Sequence, residues 1–315
     1  MKVLFTADLH IKLGQKNVPV EWAKNRYRLL FKELAILSKK VDLTVLGGDI
    51  FDKLPNIEEL ELYFELVTCL QSDTIIYSGN HEAVKKNTTF LTNLKSVTSA
   101  LNSNVEIVDD YLTYKGIDFL PYNKLKDYHP SDVDFTSDIL CTHVRGEIPP
   151  HVKPEIPLEL FDRWKTVLAG DLHSYENSQR NILYPGSPIT TSFHRNRVDT
   201  GVIIFDTSDH TYEWVKLELP QLIRRTIKAG DPMPPGDYDH VVYEVEGDLA
   251  SLAQVEDSAV LDKKVLNRSK DTALYLDPDM SLSEEVREYL LYVLNLEEPI
   301  VDKVIKILDG YVDNE

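Results

Sequence analysis

The sequence predicts an α/β fold: a sandwich of two β-sheets with outer helices, then a small α+β capping module and a helical C-terminal tail. Three observations carry this reading. Residues 1–77 alternate apolar strand-like runs with amphipathic helical segments in the order β-α-β-α-β, which calls for a parallel core covered by helices. From residue 105 the pattern changes to short alternating segments, suited to a second sheet packed on the first. Five short polar motifs stand beside these runs, the first four each at the end of one.

The elements follow in order. Residues 1–7, MKVLFTA, read as a buried strand. Residues 22–39 place Tyr27, Leu30, Phe31, Leu34 and Leu37 at helical spacing. Val41–Leu46 is a second strand, broken by Gly47-Gly48. Residues 56–71 form an amphipathic helix opened by Pro55-Asn56, and Thr74–Tyr77 is a third strand ending at Ser78-Gly79. The second sheet draws on Val105–Val108, Tyr111–Tyr114, Ile117–Leu120, Ile139–Thr142, Val167–Ala169, Ile182–Tyr184, Val202–Phe205 and Tyr212–Leu217. Pro220, Pro232, Pro234 and Pro235 mark a boundary over 218–236. Beyond it come a strand-like Val241–Val245, a short helix near Leu249–Val255 and a strand-like Ala259–Val265. The tail carries two stripes, one through Val286, Tyr289, Leu290, Val293 and Leu294, one through Val301, Val304, Ile305, Leu308 and Val312. The expected division is therefore 1–217, 218–280 and 281–315.

Bulk properties limit the function classes. No apolar run approaches the roughly 18 residues of a membrane span, and MKVLFTADLH lacks a signal-peptide layout. Cys69 and Cys141 are far apart in sequence and read as reduced, buried thiols. A soluble cytoplasmic chain is expected, with no membrane partner. The net charge of −18 argues against a broad basic face that grips nucleic acid unaided. It leaves room for a nucleic-acid enzyme whose metals reverse the sign locally.

The motifs carry the chemistry. They are Asp8-Leu9-His10, Gly48-Asp49-Ile50-Phe51-Asp52, Gly79-Asn80-His81-Glu82, Thr142-His143 and Gly170-Asp171-Leu172-His173. Each alone is weak; a lone Asp-x-His is usually incidental and Gly-Asn-His is often only a turn. In one fixed order, mostly at strand ends, they describe a two-metal phosphoesterase. Two divalent ions about 3.5–4 Å apart need a bridging carboxylate, further oxygen and imidazole ligands, and an open edge for substrate. Asp49 is the expected bridge. Asp8, His10 and His173 complete one metal site; Asn80, His143 and Asp171 complete the other. This mixed donor set favours Mn, Fe or Zn over Ca or Mg. His81 is expected to face the substrate, stabilising phosphoryl oxygens or protonating the leaving alkoxide. Asp52 and Glu82 are expected to orient the ligands.

These residues resemble the calcineurin-like metallophosphoesterase superfamily, whose pattern is Asp-x-His, Gly-Asp-x-x-Asp, Gly-Asn-His-Asp/Glu, a lone His and Gly-His-x-His. The resemblance spans residues 3–205. Tyr184-Pro185-Gly186-Ser187-Pro188-Ile189 and Ser192-Phe193 are similar to the PGSP-type segment of SbcD-type nuclease subunits, and so is the opening helix with Arg26. The chain's length is near that of compact phage versions. The resemblance implies a Mn²⁺-dependent DNA exonuclease and endonuclease of a DNA repair and recombination complex, with Mg²⁺, Fe²⁺ or Zn²⁺ as other occupants. It implies a catalytic region 1–217, a DNA-recognition cap and C-terminal helices that dock on an SbcC-like, SMC-family ATPase. It also implies a homodimer, with Leu60, Leu62, Phe64, Leu66, Val67, Phe90, Leu91 and Leu94 as candidate contacts or, equally, as ordinary core residues, and the host cytoplasm if phage-encoded. One departure is Asp171, where the family has histidine; a carboxylate can still ligate, with altered metal preference. Another is His194 with Arg195 and Arg197, read as a surface loop or a phosphate contact, as is Lys85-Lys86. Two alternatives stay open: a general metallophosphatase acting on small phosphoesters, and a catalytically weak scaffold for the ATPase.

Overall fold

The computed structural model describes residues 1–85, 88–129, 135–266, 280–294 and 296–312. Strand β1 (Lys2–Thr6) leads into α1 (Val20–Ser38), β2 (Leu43–Gly47), α2 (Ile57–Cys69) and β3 (Asp73–Tyr77). Two short paired strands, β4 (Ala83–Lys85) and β5 (Thr88–Thr89), and helix α3 (Lys95–Leu101) precede β6 (Val105–Val108). Next come β7 (Leu112–Tyr114), β8 (Ile117–Leu120), α4 (Tyr122–Leu125), β9 (Ile139–His143), β10 (Thr166–Gly170) and β11 (Ile182–Leu183). The remaining elements are β12 (Gly201–Asp206), β13 (Tyr212–Lys216), β14 (Leu222–Lys228), β15 (His240–Gly247), α5 (Leu249–Ala253), β16 (Leu261–Leu266), α6 (Leu282–Glu288) and α7 (Glu298–Val312).

Two sheets form the sandwich, in the orders β13-β12-β1-β2-β3-β6 and β11-β10-β9-β8-β7. β1, β2, β3 and β6 run parallel, and so do β8, β9, β10 and β11. The period-2 alternation of a strand sorts the side chains between layers. Val3, Phe5, Val45 and Ile75 face Phe119, Cys141 and Leu168 in the core between the sheets. Leu4, Leu46 and Ile76 face the opposite way, onto Leu30 and Leu34 of α1 and Leu62 and Leu66 of α2. On the far side of the second sheet, Leu140, Val167 and Ala169 pack on Phe161, Trp164 and Tyr184. β6, β12 and β13 therefore belong to the first sheet rather than the second, because the chain pairs them with the β1–β3 block.

Helix α2 starts where the Pro55-Asn56 signal places it. The Asn56 side chain accepts from Glu59 N and the Glu59 carboxylate accepts from Asn56 N, each at 2.9 Å, a reciprocal cap. The second Glu59 oxygen accepts from Leu13 N at 2.8 Å. The cap thus also fixes the loop after β1. Of the apolar residues expected at a dimer contact, Leu62, Leu66, Val67 and Leu91 are fully buried in the core. A helical stripe gives the apolar face but not what covers it; here the first sheet does.

The 218–236 segment holds a strand that its prolines had masked. Pro220 and Pro232 flank β14 without interrupting it, and the strand joins the sheet β14-β15-β16. By backbone packing the chain divides into Met1–Arg225 with Met233–Tyr243, and Thr226–Pro232 with Glu244–Glu315. The second unit holds α5, capped by Asp248 on Ser251 N at 2.7 Å, and α6, capped reciprocally by Ser281 and Glu284. Arg287 of α6 pairs with Asp302 of α7 at 2.7 Å. Lys86 and the stretch 267–279, at the end of the expected cap, lie outside the described residues. Cys69 and Cys141 are both free thiols, half-buried and buried. Among the described residues no helix is long and apolar enough to cross a membrane.

One hydroxyl ties the two sheets together beneath the motif residues. Tyr77, buried at the end of β3, donates its hydroxyl to Thr142 O on β9 at 2.9 Å. Tyr77→Phe is expected to lower unfolding stability by about 1 kcal/mol, read from the urea midpoint. An unchanged midpoint would show that the bond contributes nothing to the joint.

Candidate metal centre

Every motif lies at the carboxyl end of a parallel strand. Asp8 follows β1, Asp49 follows β2, Asn80 and His81 follow β3, His143 closes β9, and Asp171 and His173 follow β10. Neighbouring parallel strands therefore deliver all of them to one rim, where the loops of such sheets collect ligands.

The backbone turns sharply at this rim. Asp8, His10, Asp49 and Asp171 have φ of 58°, 44°, 50° and 104°, a left-handed region that side chains seldom adopt. Each such residue costs on the order of 1–3 kcal/mol unless its surroundings hold it. Here the pairing of β1 and β2 continues into their loops: Asp8 N, His10 N and Ile11 N donate to the carbonyls of Gly48, Asp49 and Ile50 at 3.0, 2.9 and 2.8 Å. The buried Glu82 carboxylate accepts from Asp49 N, Phe51 N and Gly79 N at 3.0, 2.9 and 2.8 Å. Gly79 is required by close approach, since a Cβ there would fall 2.1 Å from Asp49 Oδ1.

Asp49 is the hub. Its Oδ2 lies 3.6 Å from His10 Nε2, 3.6 Å from His143 Nε2 and 3.8 Å from His81 Nε2, while its Oδ1 accepts from His81 N at 3.0 Å. Asp8 Oδ1 lies 3.9 Å from His10 Nε2 and 3.8 Å from His173 Nε2. Both Asp8 oxygens accept from Asp171 N, at 3.2 and 3.1 Å. His81 Nδ1 is 2.5 Å from Asp52 O, so it carries the proton and leaves Nε2 free. The Asp52 carboxylate binds Lys12 Nζ at 2.8 Å and sits 3.7 Å from His10 Nδ1. Asp171 is clasped by Arg145, Nε to Oδ2 at 3.0 Å and the terminal nitrogen to Oδ1 at 3.2 Å, and its Oδ1 is 4.0 Å from His143 Nε2.

Burial and mutual charge shift these groups strongly. Burial pushes the Asp8 carboxyl up to about 8, against the pull of His143. Burial also drives the His10 imidazole down to about 3. It disfavours charge on Asp49 too, but His143, His10 and His81 override it and hold that carboxylate below its usual range. The reverse holds for His143: burial opposes its charge, yet Asp49, Asp8 and Asp171 raise it to about 10.

The donor set fits divalent cations. Asp8, His10 and His173 offer ligand atoms within 4.8 Å of one another, as do Asp8, Asp49 and His143, and His10, Asp49 and His81. His10 Nε2 and His173 Nε2 face each other at 3.1 Å, nitrogen to nitrogen. The Asn80 amide oxygen faces Asp49 Oδ2 at 3.0 Å, acceptor to acceptor, and lies 3.1 Å from His143 Nε2. A cation among these atoms, or for Asn80 a turned amide, relieves such pairs.

Comparison with known proteins decides the family. The sequence pattern of the calcineurin-like phosphoesterases matches residues 1–175. The chain belongs to the calcineurin-like phosphoesterases. It is accordingly a metal-dependent phosphoesterase. It is 42% identical, over 99% of both chains, to a protein of Escherichia phage T5 that bears the name "Probable exonuclease subunit 1". It is 24% identical, over 70% of this chain and 67% of the other, to protein 078R of Invertebrate iridescent virus 3, named as a phosphoesterase. A solved archaeal phosphodiesterase aligns over 69% of this chain and 100% of its own at 14% identity, with a TM-score of 0.39.

Within this calcineurin-like rim the structure gathers Asp8, His10, Asp49, Asn80, His81, His143, Asp171 and His173, with Asp52 behind His10 and His81. Arg197 is elsewhere, bound to Asp239 at 2.5 Å. Arg145 had not been singled out; its only sequence signal is a cation two residues past the strand-ending His143. Lys12 and Tyr27, whose hydroxyl donates to His10 O at 2.5 Å, also brace the first motif unannounced.

Metal binding should release protons. At pH 7, below about 8 for Asp8 and about 10 for His143, the metal-free protein holds protons on both groups, whereas His10, near 3, is already neutral. Ligation needs the free lone pairs. Adding Mn²⁺ to weakly buffered protein at pH 7 is therefore expected to acidify the solution, and affinity to rise with pH toward 8. Binding without proton release would contradict this electrostatic reading.

Proposed function

We propose that this chain is the nuclease subunit of a two-component assembly that degrades DNA by hydrolysing phosphodiester bonds. The 42% identity across 99% of both chains to a protein named as an exonuclease subunit carries this reading. In it, Asp49 would be shared between two ions, with Asp8, His10 and His173 holding one and Asn80, His143 and Asp171 the other. Mn²⁺ suits these mixed nitrogen and oxygen donors. Bound, the ions would supply Lewis-acid polarisation of the phosphoryl oxygens.

The protein's own groups do the rest. His81 acts as the imidazolium, donating to the leaving oxygen: its Nδ1–H stays tied to Asp52 O, and the proton passed on is a second one, on Nε2, which a half-exposed ring presents toward the site. Asp52 acts through the backbone oxygen that orients this ring. Lys12 and Arg145 are cations at the rim, bound to Asp52 and Asp171, and add positive potential where a phosphate approaches.

The same proposal gives residues 218–280 a DNA-recognition role and the tail a docking role for an SMC-like ATPase. Support comes from α7, where Val301 is buried while Ile300 and Ile307 are 48% and 63% exposed. An apolar row open to solvent fits a helical partner. Self-association is part of the reading, with Leu54 and Ile57 at the start of α2 exposed at 71% and 77%.

The test is Mn²⁺-dependent cleavage of end-labelled linear DNA. Wild type is expected to degrade it, and Asp49→Asn to lose more than about a hundredfold, beyond the range for an outer ligand-orienting group. Equal rates would sink the assignment. His81→Ala is expected to lose about 10²–10⁴-fold in rate while keeping its Mn²⁺ stoichiometry. Loss of one ion instead would make His81 a ligand.

A further inference from the structure

A cavity of about 580 Å³ opens beside the metal centre, on the other side of His173. This imidazole is the shared wall. Its Nε2 faces Asp8 and His10, while its Nδ1 shares a hydrogen bond with Thr191 Oγ1, a cavity-lining residue, at 3.1 Å. Whatever enters the cavity is therefore one ring's width from the ligand carboxylates.

The lining says what could enter. Among the described residues that line it there is no lysine or arginine, and two acids, Glu176 and Asp199, are present. Asp199 is paired with Lys216 at 2.7 Å, so the lining offers a phosphate no free guanidinium or ammonium of its own. Ser174, Thr190, Thr191 and Ser192 give neutral hydrogen-bonding groups, and Leu172 and Ile189 give apolar surface. One wall is aromatic: Tyr175 and Trp214 lie 5.4 Å apart, inclined at 31°. The Trp214 indole donates to Pro185 O at 2.9 Å, and the Tyr175 hydroxyl meets Tyr212 at 3.3 Å. Thr190, also in the lining, is fixed by Arg26, a buried guanidinium that donates to its carbonyl at 2.9 Å. The volume falls within the roughly 300–1,000 Å³ of small-molecule sites.

We propose that this cavity receives one unpaired nucleoside of the DNA strand, the one attached to the phosphate under attack, with its base against Tyr175 and Trp214. The proposal rests on the nuclease reading and deepens it: the enzyme takes its target nucleotide out of the stack. The phosphate stays at the rim, where Lys12 and Arg145 lie, and the neutral base and sugar enter.

The experiment uses the full-length protein with Mn²⁺ and two small diesters, bis(p-nitrophenyl) phosphate and the p-nitrophenyl ester of thymidine 5′-monophosphate. Wild type is expected to show a KM about tenfold lower for the nucleoside ester, the scale of one base–aromatic stack. Tyr175→Ala should bring the two KM values together. A second readout needs neither metal nor turnover: deoxyadenosine should quench tryptophan fluorescence in wild type but not in Trp214→Phe. Hydrolysis of both esters with equal KM in wild type overturns the pocket and leaves the phosphodiesterase standing. Quenching that persists in Trp214→Phe also overturns it. Quenching through Trp214 with neither ester hydrolysed supports the pocket and sinks the nuclease reading.

Discussion

The Glu82 carboxylate is the point on which the rim depends. It accepts three backbone amides from two loops, Asp49 and Phe51 after β2 and Gly79 after β3. Burial and the nearby Asp49 charge push its own carboxyl up to about 7, and the amides of Phe51 and Gly79 work against that rise. The continued β1–β2 pairing holds the Asp49 carbonyl, and this clamp holds the Asp49 amide, so Asp49, at φ 50°, stays turned toward His10 and His143. The strain in the ligand loops is thus held by a buried acid that grips backbone amides, among them that of Asp49. Local backbone strain of this kind persists only where the surroundings over-determine it.

The same economy governs charge. Asp8, Asp49 and Asp171 converge in a space where two imidazoles already meet nitrogen to nitrogen. Three carboxylates there would repel one another in low dielectric, and Asp8 responds by binding its proton more tightly. Asp171 is the carboxylate that stands where the family pattern has an imidazole. Arg145 clasps both its oxygens, so the pair as a whole carries no net charge, as a neutral imidazole would not. The replacement therefore leaves the charge of the rim near that of the histidine arrangement while presenting oxygen in place of nitrogen.

Much of this was legible in the sequence because strand ends are. An apolar run that stops at Asp8, Asp49 or Asn80 announces both the strand and the residue it projects. The β-α-β-α-β opening then fixes that the three ends are neighbours, since parallel crossovers allow little else. What could not be read are features that depend on distant chain. Arg145 is distinguished from any surface arginine only by meeting Asp171. β14 hides between prolines because flanking and interrupting prolines look alike until the strand finds β15. Leu62 and Leu66 present an apolar face whose cover, sheet or second copy, is decided by packing. Tyr175 and Trp214 are 39 positions apart and meet only because β13 pairs with β12 at the edge of the first sheet.

A chain of net charge −18 can act on a polyanion only if attraction is generated locally. Lys12 and Arg145 cannot do this alone, since each is already bound to a carboxylate of the rim. The positive potential must come chiefly from ions held by Asp8, Asp49 and their imidazole partners, which makes affinity for the backbone conditional on metal. Beside that centre lies an aromatic-walled cavity with no lysine or arginine among the described residues of its lining. Under the proposed nucleoside pocket, such a boundary would sort the two halves of a nucleotide, with the phosphate on one side of His173 and the uncharged nucleoside on the other. The contrast across a single imidazole would then set the register of the strand without any broad basic surface.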